Sequence, residues 1–219
     1  MTNLIFDFDG TLHNTIKIYA PAFRRAYQYL VEQKLAPSHQ WTEAEIRQWI
    51  GYSSKDMWNK FMPELSEQQK EKCSRIIGCE MLTAFDAGQA QLYEGVPQML
   101  TDLKDQGYRL IFLSNCKIAY MEACQKTFSL ARYFTDFYCT EQYDFAPKVE
   151  IYKDIADKYG DKNIIIGDRY ADMEVAIKNQ LPAIGCRYGY GNDHELKSAT
   201  IIIDAPKQIV IAIKQINIT

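Results

Sequence analysis

Leu4-Ile5-Phe6-Asp7-Phe8-Asp9-Gly10-Thr11-Leu12 is the segment from which the remainder of the chain is most readily understood. Its apolar run, Leu4–Phe8, predicts a buried strand, and Asp9-Gly10-Thr11 predicts a turn at the carboxyl end of that strand. On an extended chain, side chains two residues apart project to the same side, which places the carboxylates of Asp7 and Asp9 together. Two such acids repel unless a cation or a shared proton relieves them. A hard, oxygen-liganded ion such as Mg²⁺ meets that need. Gly10 allows a sharp turn and would leave backbone N–H groups facing an anion. An Asp-Gly turn closing a hairpin is the competing reading, but helical sequence follows with no partner strand.

Downstream, helical spacing dominates from about Thr15 to Ala87. Ile16, Tyr19, Ala20, Phe23, Ala26, Tyr27 and Leu30 recur on one face. Thr42 with Glu45 predicts a capping box, Gly51 a C-terminal stop, and Ser66 with Gln69 the start of a helix through Leu82. From Gly95 the pattern changes to short apolar runs alternating with helices. Strands are expected at Arg109–Leu113, Phe137–Cys139, Asn163–Ile166, Ala183–Cys186 and Ile201–Ile203. Helices are expected from Pro97 to Gly107 and at Ile118–Phe128, Val149–Tyr159 and Ala171–Asn179. This alternation predicts an α/β fold with a doubly wound parallel sheet, in which ligands bind beyond the carboxyl ends of the strands. The expected organisation is a core of residues 1–14 and 88–219 with an all-helical insertion, 15–87.

Composition narrows the function classes. The 219 residues are 47% apolar and 24% charged, with a net charge of -3 and no basic run of the kind that binds nucleic acid. No window approaches a membrane span, and Asp7 and Asp9 interrupt any signal-like apolar stretch. The six cysteines lack CxxC pairs and zinc spacing, so free thiols in a reducing cytoplasm are expected. Cys116 sits beside a polar strand end, and a catalytic thiol there is the minor reading.

Three later segments carry chemistry-bearing residues at expected strand ends: Leu113-Ser114-Asn115, Lys148, and Ile166-Gly167-Asp168-Arg169-Tyr170-Ala171-Asp172. Each has a plain structural reading as well. Ser114 and Asn115 could cap a helix, Lys148 could be solvated, and Asp168 with Asp172 could be an N-cap and a first-turn acid. Taken in order with the Asp7 segment, however, the four resemble the four motifs of the haloacid dehalogenase-like (HAD) hydrolases. The likeness extends over nearly the whole chain. The insertion resembles the helical cap of phosphoglycolate-phosphatase-like members.

The resemblance implies a Mg²⁺-dependent phosphatase acting on small phosphate esters. It assigns Asp7 as nucleophile, Asp9 as general acid and base, and Asp7, Asp9, Asp168 and Asp172 to the metal. Gly10, Thr11, Ser114, Asn115 and Lys148 are implied as phosphate contacts. The retained second acid, Asp9, favours ester over halide chemistry. The segment Thr15–Ala20 lacks the cap histidine of mutase relatives, and His13 reads as an exposed turn residue. Asn14 departs from the acid many relatives carry, keeping hydrogen-bonding capacity without the charge. Candidate cap contacts are Arg24, Arg25, Tyr52, Ser53, Lys55 and Trp58. Lys17, Arg24 and Arg25 read either as contacts for a second anionic group on a substrate or as a solvated helix face, and Trp41, Trp49 and Trp58 read as core rather than base-stacking platforms. Phosphoglycolate, a sugar phosphate and a nucleoside monophosphate all remain open as substrates. A phosphotransferase or mutase, and a phosphate-binding regulatory protein on the same fold, are the rival functions.

Overall fold

The computed structural model describes residues 1–216. Two compact units are formed, Thr15–Gln91 and Met1–Asn14 together with the chain from Leu92. The helical unit contains α1 (Ile16–Glu32), α2 (Glu43–Arg47), α3 (Ser54–Phe61) and α4 (Glu67–Asp86). Both expected capping boxes are made, Thr42 with Glu45 and Ser66 with Gln69. α2 stops at Arg47, short of Gly51, whereas α4 runs one turn past Leu82 to Asp86. The unit's interior is aromatic. Phe23, Tyr27, Trp41, Trp49 and Trp58 all lie within 6.3 Å, centroid to centroid, of the Phe61 ring. The tryptophans therefore belong to the packing of this unit. Arg24 donates to the Trp41 carbonyl at 2.9 Å, and Arg25 pairs with Glu32 on the exposed face of α1.

The second unit is a six-stranded, wholly parallel sheet. In chain order the strands are β1 (Asn3–Phe6), β2 (Arg109–Ser114), β3 (Phe134–Cys139), β4 (Asn163–Gly167), β5 (Ala183–Cys186) and β6 (Ile201–Ile203). Across the sheet the order is β3-β2-β1-β4-β5-β6. The connecting helices are α5 (Val96–Asp105), α6 (Ile118–Phe128), α7 (Lys148–Tyr159), α8 (Tyr170–Asn179), α9 (Asp193–Leu196) and α10 (Ile209–Ile216). β1 and β4 are buried throughout, as strands covered by helices on both faces must be. Register sorts the faces. Ile5, Ile111 and Ile165 align into an aliphatic core with Ile151, Ile155 and Met173, while Phe6 aligns with Phe112 on the other side.

The observed boundaries differ from expectation for physical reasons. β1 ends at Phe6 rather than Phe8. After the Asp7 N–H bonds Ile166, the chain leaves the ladder, and the Phe8 carbonyl accepts the N–H groups of Thr11, Leu12 and His13. β3 starts at Phe134, where that ring packs edge-on against Phe6 and Phe112. α10 was not anticipated. Its β-branched, apolar run conceals helical spacing of the buried residues Ile209, Ala212 and Ile213.

Candidate active site

β1 lies where the strand order reverses, with β2 on one side and β4 on the other. Such a switch point opens a crevice at the carboxyl edge. Asp7 leaves β1 there, Ser114 ends β2, Asp168 follows β4, and Lys148 and Asp172 lie in the first turns of α7 and α8. The Lys148 ammonium donates to Asp7 Oδ1 at 2.6 Å and to Asp172 Oδ1 at 2.7 Å. Ligand atoms of Asp7, Asp168 and Asp172 lie within 4.8 Å of one another, and all three residues are buried. Burial therefore excludes the solvated reading of Lys148. Asp168 is not the α8 cap either: Arg169 holds that position, and its N–H donates to Asp172 Oδ2. Nor do Ser114 and Asn115 cap α6, whose N-cap is Lys117.

The cluster carries more negative than positive charge. Burial opposes the Lys148 charge, yet Asp172 and Asp7 overcome that cost and hold its pKa above the usual value. Burial pushes Asp7 well up; Lys148 opposes the shift, and Asp172 and Asp168 add to it. Asp168 rises to about 7, first from burial and then from Asp172, against the Tyr190 N–H. Surplus buried carboxylate charge with oxygen donors converging on one space fits a hard divalent cation. Asp7, Asp168 and Asp172 are the side chains positioned to hold one.

The turn after Asp7 works differently from expectation. The Gly10 N–H is not directed at an anion, because it donates to the His13 carbonyl at 3.0 Å. Glycine is required by φ +90° and by close approach, since a Cβ would stand 2.3 Å from Asp168 Oδ2. Thr11 likewise supports Asp168, its hydroxyl donating to Oδ1 at 3.2 Å. Gly10→Ala is expected to destabilise the fold by about 2–4 kcal/mol and to reduce turnover by displacing Asp168. Urea unfolding and steady-state kinetics check this; an alanine variant of wild-type stability and rate would refute the close-packing account.

Asp7 and Asp9 serve different neighbours. The Asp9 carboxylate is outside the three-acid cluster, and its Oδ1 accepts from the Tyr120 hydroxyl at 2.6 Å. His13, read as an exposed turn residue, is instead fully buried, stacked on Phe8 with Nδ1 3.3 Å from Asp9 Oδ1. The turn folds this imidazole inward because its backbone closes the Gly10 loop and bridges Leu92. Tyr120 and Tyr190 also escaped the sequence reading. Tyr190 donates its backbone N–H to Asp168 Oδ2 at 2.6 Å, and the closely spaced glycines around it were the available signal. The hydrogen bond with Cys139, then burial, push the Cys116 thiol well up, which disfavours the thiolate that the minor reading would need.

Residues 4–186 match the model of the haloacid dehalogenase-like hydrolase family. The chain belongs to that family. Among curated relatives, this hydrolase is 26% identical to a 5'-nucleotidase of Pseudomonas aeruginosa over 112 residues. That match covers 49% of the chain and 51% of the relative, so the chain spans about half of that protein. It is 24% identical to the pyrophosphatase PpaX of Listeria welshimeri over 178 residues, or 80% of the chain and 77% of the relative. A predicted phosphatase from Clostridium acetobutylicum has the same fold, with a TM-score of 0.81, 22% identity and 98% of each chain covered. Among the described residues, no helix is long and apolar enough to cross a membrane.

Proposed function

We propose that this hydrolase is a Mg²⁺-dependent phosphatase of small phosphate monoesters working through an aspartyl-phosphate on Asp7. The observation that carries the reading is the contact of Lys148 with both Asp7 and Asp172 inside a buried acid cluster. An anionic nucleophile must approach an anionic phosphate, and such a site supplies the necessary positive charge. The Asp7 carboxylate attacks phosphorus as the ester P–O bond breaks, and Asp9 gives the departing oxygen its proton. Asp9 then takes a proton from water, whose oxygen attacks the phosphorus and returns Asp7 as carboxylate with release of inorganic phosphate. Lys148, Ser114 and Asn115 hold the phosphoryl oxygens, while Gly10 and Thr11 keep Asp168 in place. Asp7, Asp168, Asp172 and the Asp9 carbonyl would hold the Mg²⁺. When bound, the ion supplies charge that offsets repulsion between nucleophile and phosphate. The helical unit Thr15–Gln91 acts as the cap that selects the substrate.

The test is an assay of p-nitrophenyl phosphate and a panel of sugar phosphates, phosphoglycolate and nucleoside monophosphates, in Mg²⁺ and in EDTA. Hydrolysis that requires Mg²⁺ is expected, with a hydroxylamine-sensitive phosphoenzyme trapped by rapid acid quench. A folded, Mg²⁺-binding protein that cleaved no ester would refute the phosphatase reading and favour transfer or binding.

Stability gives a second readout. Because the folded-state pKa of Asp168 is raised to about 7, this acid holds its proton more tightly folded than unfolded. Its contribution is thus most favourable at low pH and is lost as pH rises from about 4 through about 7. A cation reverses this by favouring the ionised acids. At pH 8, at 100 times its Kd, Mg²⁺ should stabilise by about 2.7 kcal/mol, raising Tm by roughly 5–10 °C. At that same Mg²⁺ concentration the rise should be smaller at pH 5.5; an equal rise at both would contradict binding at these acids.

A further inference from the structure

Asp9 is held by two side chains that the chemistry above does not use. The Tyr120 hydroxyl donates its proton to Asp9 Oδ1 at 2.6 Å, and His13 Nδ1 lies 3.0 Å from the Tyr120 oxygen and 3.3 Å from the same Oδ1. With the phenol proton directed to Asp9, the Tyr120 oxygen is the acceptor of the imidazole bond. The bonding pattern therefore assigns the hydrogen of His13 to Nδ1. Both groups converge on one carboxyl oxygen.

We propose that Tyr120 and His13 clamp Oδ1 of Asp9 and so direct its transferable proton to Oδ2, acting as positioning residues for the acid/base step. The inference rests on the role given to Asp9 above. An oxygen that already accepts a short phenol hydrogen bond is the poorer site for the carboxyl's own proton, which leaves Oδ2 to carry it. A carboxyl fixed through one oxygen also loses rotation about its Cβ–Cγ bond, so the other oxygen keeps one direction.

Rigid elements support the clamp. The His13 ring stacks on Phe8 at 5.2 Å with 23° between planes and meets Phe128 at 5.7 Å. Its backbone belongs to the closed turn after Asp9, where its carbonyl accepts the Gly10 N–H. Tyr120 lies in the first turn of α6, whose Ile118 N–H donates to Glu141 Oε2 at 2.7 Å. Just before that helix, the Cys116 carbonyl accepts from the Glu141 N–H at 3.4 Å. The segment linking Ser114 to Tyr120 is thus tied to the chain beyond β3, and the tyrosine is presented from a fixed helix end.

The leaving group separates positioning from a merely structural role. Propyl phosphate releases a strongly basic alkoxide that needs the proton from Asp9, whereas p-nitrophenyl phosphate releases a weakly basic phenolate that needs it far less. Tyr120→Phe removes one buried oxygen and keeps the ring. In this variant kcat/KM for propyl phosphate should fall roughly 10- to 100-fold, and that for p-nitrophenyl phosphate by a factor at least about fivefold smaller. His13→Leu should act in the same way. His13→Asn places an amide N–H near the position of Nδ1 and should recover propyl phosphate turnover to within about fivefold of wild type. Unfolding midpoints of all variants show that the fold is kept. Equal losses on the two esters, or no loss on either, would overturn the clamp while leaving the phosphatase reading intact if the wild type cleaves both. A wild type that cleaves neither ester would overturn the role of Asp9 and the clamp with it.

Discussion

Asp7→Asn should lower kcat on p-nitrophenyl phosphate by at least about 10³- to 10⁴-fold, to the level of a protein without a nucleophile. The amide has the size of the carboxylate but lacks its anionic oxygen, so the site keeps its shape while losing bond formation to phosphorus. A second consequence runs in the opposite direction. Burial, with Asp172 and Asp168, raises the folded-state pKa of Asp7, so its ionised form opposes folding despite Lys148. That unfavourable contribution is absent below the unfolded value of about 4 and grows as pH rises. Asp7→Asn should therefore be more stable than the metal-free wild type by about 1–2 kcal/mol at pH 8, with a smaller gain at pH 5. Quench-flow or steady-state kinetics measure the first effect and urea titrations the second. Full activity in the variant would remove Asp7 as nucleophile; a variant less stable at pH 8 than at pH 5, relative to wild type, would contradict the electrostatic account.

Lys148→Met should produce the largest loss of stability. The ammonium bonds both Asp7 and Asp172 inside the fold, and Met replaces its stem without its charge. Breaking a buried ion pair from one side leaves uncompensated carboxylates and costs about 3–5 kcal/mol. For a chain of this size that corresponds to a Tm lower by roughly 6–20 °C at pH 8. The sign with pH follows from two of the acids: Lys148 holds down the raised pKa values of Asp7 and Asp168, so its loss raises them further, protonation at lower pH relieves the repulsion, and the deficit should shrink by pH 5. Mg²⁺ should restore part of the lost stability, and kcat/KM should still fall about 10²- to 10³-fold because a phosphoryl-oxygen contact is gone. Thermal melts at two pH values, with and without Mg²⁺, separate these effects. Wild-type stability of the metal-free variant at pH 8 would show that Lys148 does not neutralise the cluster.

Much of the fold was legible because its signals are local. The apolar runs at Leu4, Arg109, Asn163 and Ala183, with helical spacing between them, specify strands and helices without reference to distant residues. Thr42 and Ser66 cap helices through side chains three residues apart, which a linear reading can see. Asp7, Lys148, Asp168 and Asp172 were also nameable, since each sits at a strand end or in a helix's first turn and a parallel sheet gathers such ends on one edge. The sequence alone therefore determined the sheet architecture and a set of candidate charged residues. It did not determine which groups each residue meets. That Gly10's N–H turns back to His13, that His13 is buried, and that Tyr120, more than a hundred residues from Asp9 along the chain, donates to its carboxylate are outcomes of tertiary packing. The physical reason is range: turns and helices are set by bonds between near neighbours, whereas a hydrogen bond across such a separation exists only once the sheet has brought β1 and β2 side by side.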